Sequence, residues 1–159
     1  MEIELRRAGA DDRDLLLSLI RGLYECEHIP FDEARAARGL GGLLADPALG
    51  GVWVIGRRDG DPIGYAVLTL GYSLEFGGRF ALLDELFIRE EHRGAGAGRQ
   101  ALARIEEICR GLGLEAVRLE VERTNRVAQD LYRKVGFEAH DRDLMTLWID
   151  PRRRGAPGS

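Results

Sequence analysis

Apolar and polar positions change their period several times along these 159 residues, and each change marks an element. Ile3 and Leu5 alternate with charged neighbours as in a strand, and Leu15, Leu16, Leu19 and Leu23 then share one helical face that Asp11 or Asp12 can cap. Ile29-Pro30 interrupts that helix, and Phe31 to Leu44 reads as a second one, weakened by Gly39, Gly41 and Gly42. Val52 to Arg57 and Ile63 to Leu70 are β-rich runs joined by Arg58-Asp59-Gly60-Asp61, which predicts an antiparallel hairpin. Phe80 to Ile88 is the next strand. A helix opening at Arg99 carries Leu102, Ile105, Ile108, Cys109 and Leu112 on one face and ends at Gly111 and Gly113. Val117, Leu119 and Val121 alternate as a strand, Ala128, Leu131, Tyr132 and Val135 line a last helix, and Met145 to Ile149 reads as a final strand. The order β-α-α-β-β-β-α-β-α-β describes an α/β fold, a mixed sheet with helices on both faces. One domain spans residues 1–150, and 151–159 is expected to be a disordered tail.

The densest signal is Arg93-Gly94-Ala95-Gly96-Ala97-Gly98, set between the apolar run ending at Ile88 and the helix opening at Arg99. Alternate glycines keep side chains out of a tight turn, so backbone N–H groups at a helix start can converge on one anion. A nucleotide P-loop needs Lys and then Ser or Thr after its last glycine, where this chain has Arg99 and Gln100. A dinucleotide fingerprint counted from Gly94 and Gly96 needs a third glycine where Arg99 stands. Both readings fail.

What remains, R-x-x-G-x-G over Arg93 to Gly98, resembles the pyrophosphate loop of the Gcn5-related N-acetyltransferases, the GNAT superfamily. Upstream, Leu83-Asp84-Glu85-Leu86-Phe87-Ile88 looks like that family's fourth strand. Downstream, Asn125 to Phe137 is similar to its N-x-x-A-x-x-L-Y-x-K-x-G-F element, with Ala128, Leu131, Tyr132, Lys134 and Gly136 in place. The motifs cover residues 80 to 140, and the order of elements can be followed from residue 2 to 149. The resemblance implies the acyl-coenzyme A N-acyltransferase fold with its central strands splayed apart, and acetyl-coenzyme A as co-substrate. Its pantetheine arm would lie between the strands against the backbone of Leu86, Phe87 and Ile88. Its pyrophosphate would meet the amides of Gly94, Ala95, Gly96, Ala97, Gly98 and Arg99, with Arg93 and Arg99 adding positive charge. Asn125 and Ala128 would also contact the cofactor.

Acetyl transfer to an amine needs a base, because an alkyl ammonium with a pKa near 10 must lose a proton before it attacks, and an acid for the departing thiolate. Asp84 and Glu85 stand where relatives keep a carboxylate. A regular strand points only one of them at the cleft, and a bulge could change which. Polyamine-type relatives place the carboxylate at Asp84, whereas Glu85 has the longer reach. Tyr132 matches the family's tyrosine general acid, which sits near the coenzyme A sulfur. Tyr24, Glu25 and Glu27, in a stretch of four acids from Tyr24 to Glu33, are candidates for holding a cationic acceptor, and Tyr24-Glu25 is similar to the matching segment of spermidine/spermine and thialysine acetyltransferases.

These readings converge on an enzyme that moves acetyl directly to a primary amine in a ternary complex. A polyamine, amino acid or aminoglycoside is favoured over a protein N-terminus or lysine. The alternatives are a donor longer than acetyl and a non-catalytic acyl-coenzyme A sensor. The net charge of −4 disfavours a nucleic-acid partner, despite Arg152, Arg153 and Arg154 in the tail. Cys26 and Cys109 form no disulfide framework, and neither they nor His28, His92 and His140 give metal-ligand spacing, so no metal is expected. No run has the length of a signal-peptide core or a membrane span, which points to the cytoplasm and away from a membrane partner. The resemblance extends to homodimers built on strand edges or the carboxy-terminal strand.

Overall fold

Alternation along the central strands divides the apolar residues between two cores. Residues 2–155 are described in a computed structural model, with β1 (Ile3–Arg7), α1 (Arg13–Cys26), α2 (Glu33–Ala45), β2 (Gly50–Arg57), β3 (Pro62–Ser73), β4 (Gly78–Ile88), α3 (Ala97–Gly111), β5 (Val117–Leu119) and α4 (Arg126–Val135). The strands form one sheet in the order β1-β2-β3-β4-β5, antiparallel from β1 to β4 and parallel between β4 and β5. A parallel pair needs a crossover, and α3 supplies it. On one face Ala101, Leu102 and Ile105 of α3 pack with Trp53, Ile55, Ala66, Leu68, Ala81 and Leu83, and Leu131 and Tyr132 of α4 join at the margin. On the other, Leu16, Leu19 and Leu23 of α1 and Leu40 of α2 cover Val52, Val54, Tyr65, Val67 and Phe87.

The strand that matters most for chemistry is irregular at one residue. Leu83 of β4 pairs with Leu68 of β3 and Glu85 pairs with Val67, so Asp84 is an extra residue, a β-bulge. Its effect shows in the side chains. Ala81 and Leu83 belong to the α3 core, and so do Leu86 and Ile88, so the parity of the inward positions changes from odd to even across Asp84. Glu85 is thereby turned to the α1 side with Phe87. A regular strand would have buried it beside Leu83 under α3.

Close approach of β3 to β4 depends on Gly64. A Cβ there would stand 2.0 Å from the Phe87 carbonyl oxygen, a backbone atom that cannot turn away. Gly64→Ala is expected to cost about 2–3 kcal/mol through forced separation of the strands. A thermal melt should show this as a loss of roughly 4–12 °C.

One expectation is corrected. Met145 to Ile149 forms no strand, and Leu144, Met145, Leu147 and Ile149 are 71%, 89%, 74% and 89% exposed. The alternation there is real, but β5 ends at Leu119 and pairs only with β4, while Trp148 instead stacks under the Arg153 guanidinium at 4.0 Å. Within the segment expected to be a disordered tail, Pro151–Arg153 makes a one-turn 3-10 helix whose cap, Asp150, accepts from the Arg152 amide. The rest of that expectation, residues 156–159, lies outside the described residues.

Candidate active site

Beyond Leu83, β4 and β5 part. Their pairing covers only Ala81 to Leu83 against Val117 to Leu119, and from Asp84 onward β4 faces a gap on that side. The Arg89 amide bonds the Ile63 carbonyl of β3, and the antiparallel alternation then assigns the main-chain groups of Phe87 to the β3 ladder as well. Those of Leu86 and Ile88 point the other way, into the gap. Of the three backbone positions singled out in the sequence, two therefore present polar groups to whatever enters between the strands.

At the end of β4 the glycine loop turns into α3. Gly94 and Gly96 have φ of +81° and +80°, a region costly for other residues, and a Cβ at either would meet nothing within 4 Å. Gly96 is the N-cap, with no side-chain capping bond, and the first intrahelical bond runs from the Gln100 amide to the Gly96 carbonyl. The amides of Ala97, Gly98 and Arg99 are thus the orphan donors of a 15-residue helix, at its positive end. Gly98 faces Leu131 of α4, and Arg99 is exposed beside the loop. Arg93 folds back: its Nε donates to the Ile88 carbonyl at 2.7 Å, its guanidinium lies 5.7 Å from the Phe87 ring, and its Nη2 is 3.6 Å from Cys26 Sγ. It braces the loop against β4 and brings positive charge to the mouth of the gap. The residues present thus suit a pyrophosphate and an amide-bearing arm.

On the α1 side, Glu85 is held from both oxygens. The Tyr65 hydroxyl donates to Oε1 at 2.9 Å and the Tyr24 hydroxyl to Oε2 at 3.1 Å. Burial raises the Glu85 pKa, the two phenol donors oppose that rise, and the charges of Asp84 and Glu27 add to it. Asp84, the bulged residue, is open to solvent yet also raised by the protein around it, and its carboxylate has no hydrogen bond or ion pair. Burial and the Glu85 charge push Tyr24 up to about 12, and the same causes drive Tyr65 far above the ordinary phenol range. Both remain donors at any physiological pH.

Tyr132 of α4 is partly buried, packs edge-to-face on Phe137 at 5.7 Å between centroids, and is raised first by burial and then by the charge of Glu27. Glu27 itself is raised by burial and by Glu122. Glu27 therefore acts electrostatically on both Glu85 and Tyr132. Glu25 is exposed and takes no part in this group. Asn125 caps α4, accepting from the Ala128 amide at 3.1 Å, which fixes the helix that carries Tyr132. A surface hollow of about 750 Å³ near Glu120, Leu144 and Trp148 is shaped by the carboxy-terminal segment and holds none of these groups. Among the described residues no three His, Cys, Asp or Glu side chains could share a metal ion, and no helix is long and apolar enough to cross a membrane.

Tyr65 is the residue that reading the sequence missed. It sits in an apolar strand with full burial, and its one distinguishing feature, a hydroxyl aimed at a carboxylate, depends on the bulge that turns Glu85 toward it.

Comparison with known proteins agrees with this geometry. The model of the acetyltransferase (GNAT) family matches residues 16–137. The thialysine N-epsilon-acetyltransferase of Bos taurus is 30% identical over 146 residues, covering 86% of this chain and 84% of that protein. An integron cassette protein from the mobile metagenome of Cole Harbour Salt Marsh superposes with a TM-score of 0.81 at 32% identity, covering 92% of this chain and 91% of the other. The aminoglycoside N-acetyltransferase AAC(6')-Iy, solved with CoA, shares the fold with a TM-score of 0.76 at 16% identity, covering 93% and 95%.

Proposed function

The chain belongs to the acetyltransferase (GNAT) family, and from that premise we propose that it moves acetyl from acetyl-coenzyme A to the primary amine of a small cationic acceptor in a ternary complex. The observation that carries the reading is the group of Glu85, Tyr24 and Glu27 beside a strand gap that ends in a left-handed glycine loop. Acids whose ionised form is disfavoured by burial gain most from an ammonium placed among them, and thialysine, the acceptor named for the Bos taurus relative, is such an amine.

In this reading the backbone of Leu86 and Ile88 holds the pantetheine amides, and the amides of Ala97, Gly98 and Arg99 hold the pyrophosphate with Gly94, Ala95 and Gly96 around it. Glu85 takes the ammonium proton. The amine nitrogen then attacks the thioester carbon, the C–N bond forms, and the C–S bond breaks with its electron pair going to sulfur. Tyr132 gives its phenol proton to that sulfur, and the second proton released by the newly acylated nitrogen restores the phenol, so the products are the acetamide, the free thiol and the one proton held by Glu85. The developing oxyanion would be met by the amide of Leu86, which points into the gap. We also assign the enzyme to the cytoplasm, where exposed Cys26 and buried Cys109 stay reduced, and to a homodimer that covers the apolar stretch from Leu144 to Ile149.

Free-thiol release from acetyl-coenzyme A, measured against thialysine, polyamines, amino acids, aminoglycosides and a lysine peptide, tests the proposal. Release that depends on a small cationic amine is the expected result. Release with the lysine peptide alone would move the assignment to protein acetylation, and acetyl-coenzyme A binding with no release for any amine would favour a sensor.

A further inference from the structure

We propose that Tyr65 and Tyr24 are positioning residues that clamp the two oxygens of Glu85 from opposite sides of the α1–sheet interface, a role that presupposes Glu85 as the proton acceptor. An ionised carboxylate offers four lone-pair directions. The two phenols take one on each oxygen, at 2.9 and 3.1 Å, and leave one on each for an incoming ammonium. The clamp is rigid because its parts are. Tyr65 is fully buried among the α1-side apolar residues, its ring 6.2 Å from Phe87, and Tyr24 is braced edge-on by Phe31 at 5.7 Å. A glutamate on an exposed strand would sample several rotamers and give up part of its effective concentration toward the amine.

The clamp also sets when Glu85 can work. Burial raises its pKa and hydrogen bonds from Tyr65 and Tyr24 lower it. The charged groups facing it are Asp84 on its own strand and Glu27 from α1, both raising it, and Glu122 acts on Glu27 in turn. Both of those charges are negative, so the two hydroxyls are what oppose the rise in the Glu85 pKa. A base works only when deprotonated, so activity rises with pH through the Glu85 pKa. Losing a hydroxyl raises that pKa and moves the rising limb to higher pH.

The test is a titration of Glu85 by carboxyl-carbon NMR on protein labelled at glutamate, the resonance assigned by its loss in Glu85→Gln, alongside pH profiles of kcat/KM with thialysine. Tyr65→Phe and Tyr24→Phe keep the rings, so packing is preserved, and Tyr24→Phe, at a partly exposed position, serves if the buried variant does not fold. Each is expected to move the Glu85 midpoint up by about one pH unit and to shift the rising limb of activity equally, with kcat/KM about tenfold lower below the limb and within about threefold of wild type on the plateau. An unmoved Glu85 midpoint in both folded variants would overturn the clamp. A midpoint that moves while the activity limb stays put would uphold the clamp and overturn Glu85 as the base.

Discussion

Glu85→Gln is expected to lower kcat/KM for the amine about 10²- to 10³-fold at neutral pH while leaving affinity for acetyl-coenzyme A within about twofold. Glutamine keeps the length and shape of the side chain and can still bond the hydroxyls of Tyr24 and Tyr65, so what is lost is the capacity to take a proton. The effect on stability should run the other way. Burial raises the Glu85 pKa above its unfolded value, so between the two the folded state holds more protons than the unfolded one, and stability falls as pH rises through that window. Above it the ionised carboxylate costs the fold, and the neutral amide removes that cost. At pH 7 Glu85→Gln should therefore melt at the same temperature as wild type or higher, with most of its activity gone. Asp84→Asn is the companion measurement. The Asp84 carboxylate has no partner and sits at the bulge, and its loss should cost less than tenfold; a larger loss there than at Glu85 would move the base to Asp84.

The contrast between these two acids shows what the sequence could carry. The glycine loop was legible because its chemistry is local: left-handed turns at Gly94 and Gly96 and the start of α3 are dictated by neighbours a few residues apart. Helices on both faces were legible in the order of elements, whereas the division of Val52, Trp53, Val54 and Ile55 between two cores was not, since all four are apolar. The choice between Asp84 and Glu85 was not, since it turns on a register slip between β3 and β4 that no short-range pattern encodes. Tyr65 was hidden for the same reason, its partner being fixed by that slip. The strand expected from Met145 to Ile149 failed because a strand is a property of two chains in register, and β5 stops after three residues. Arg93, expected to add positive charge at the pyrophosphate, holds the Ile88 carbonyl at the loop's root, a contact that no sequence pattern marks.

Tyr132→Phe should lower kcat about 10²- to 10³-fold, with KM for the amine and affinity for acetyl-coenzyme A each within about threefold. The asymmetry follows from when the hydroxyl matters. A phenol raised by burial and by the Glu27 charge stays protonated across the neutral range, so it can donate as charge builds on sulfur but contributes little while the thioester is intact. The ring stays against Phe137 in the variant, and a thermal melt should move by less than about 3 °C. The proposed acid and base come from opposite faces of the sheet, Tyr132 from the α3–α4 side and Glu85 from the α1 side, and Glu27 acts on both. Wild-type activity should accordingly climb with pH as Glu85 ionises and fall only at strongly alkaline pH, above the ordinary phenol range, as Tyr132 loses its proton. In Tyr132→Phe the alkaline fall should vanish and the acid limb should remain where it was. If turnover survives the substitution and the alkaline fall persists, the proton reaches sulfur from another donor, and Tyr132 is a packing residue of α4.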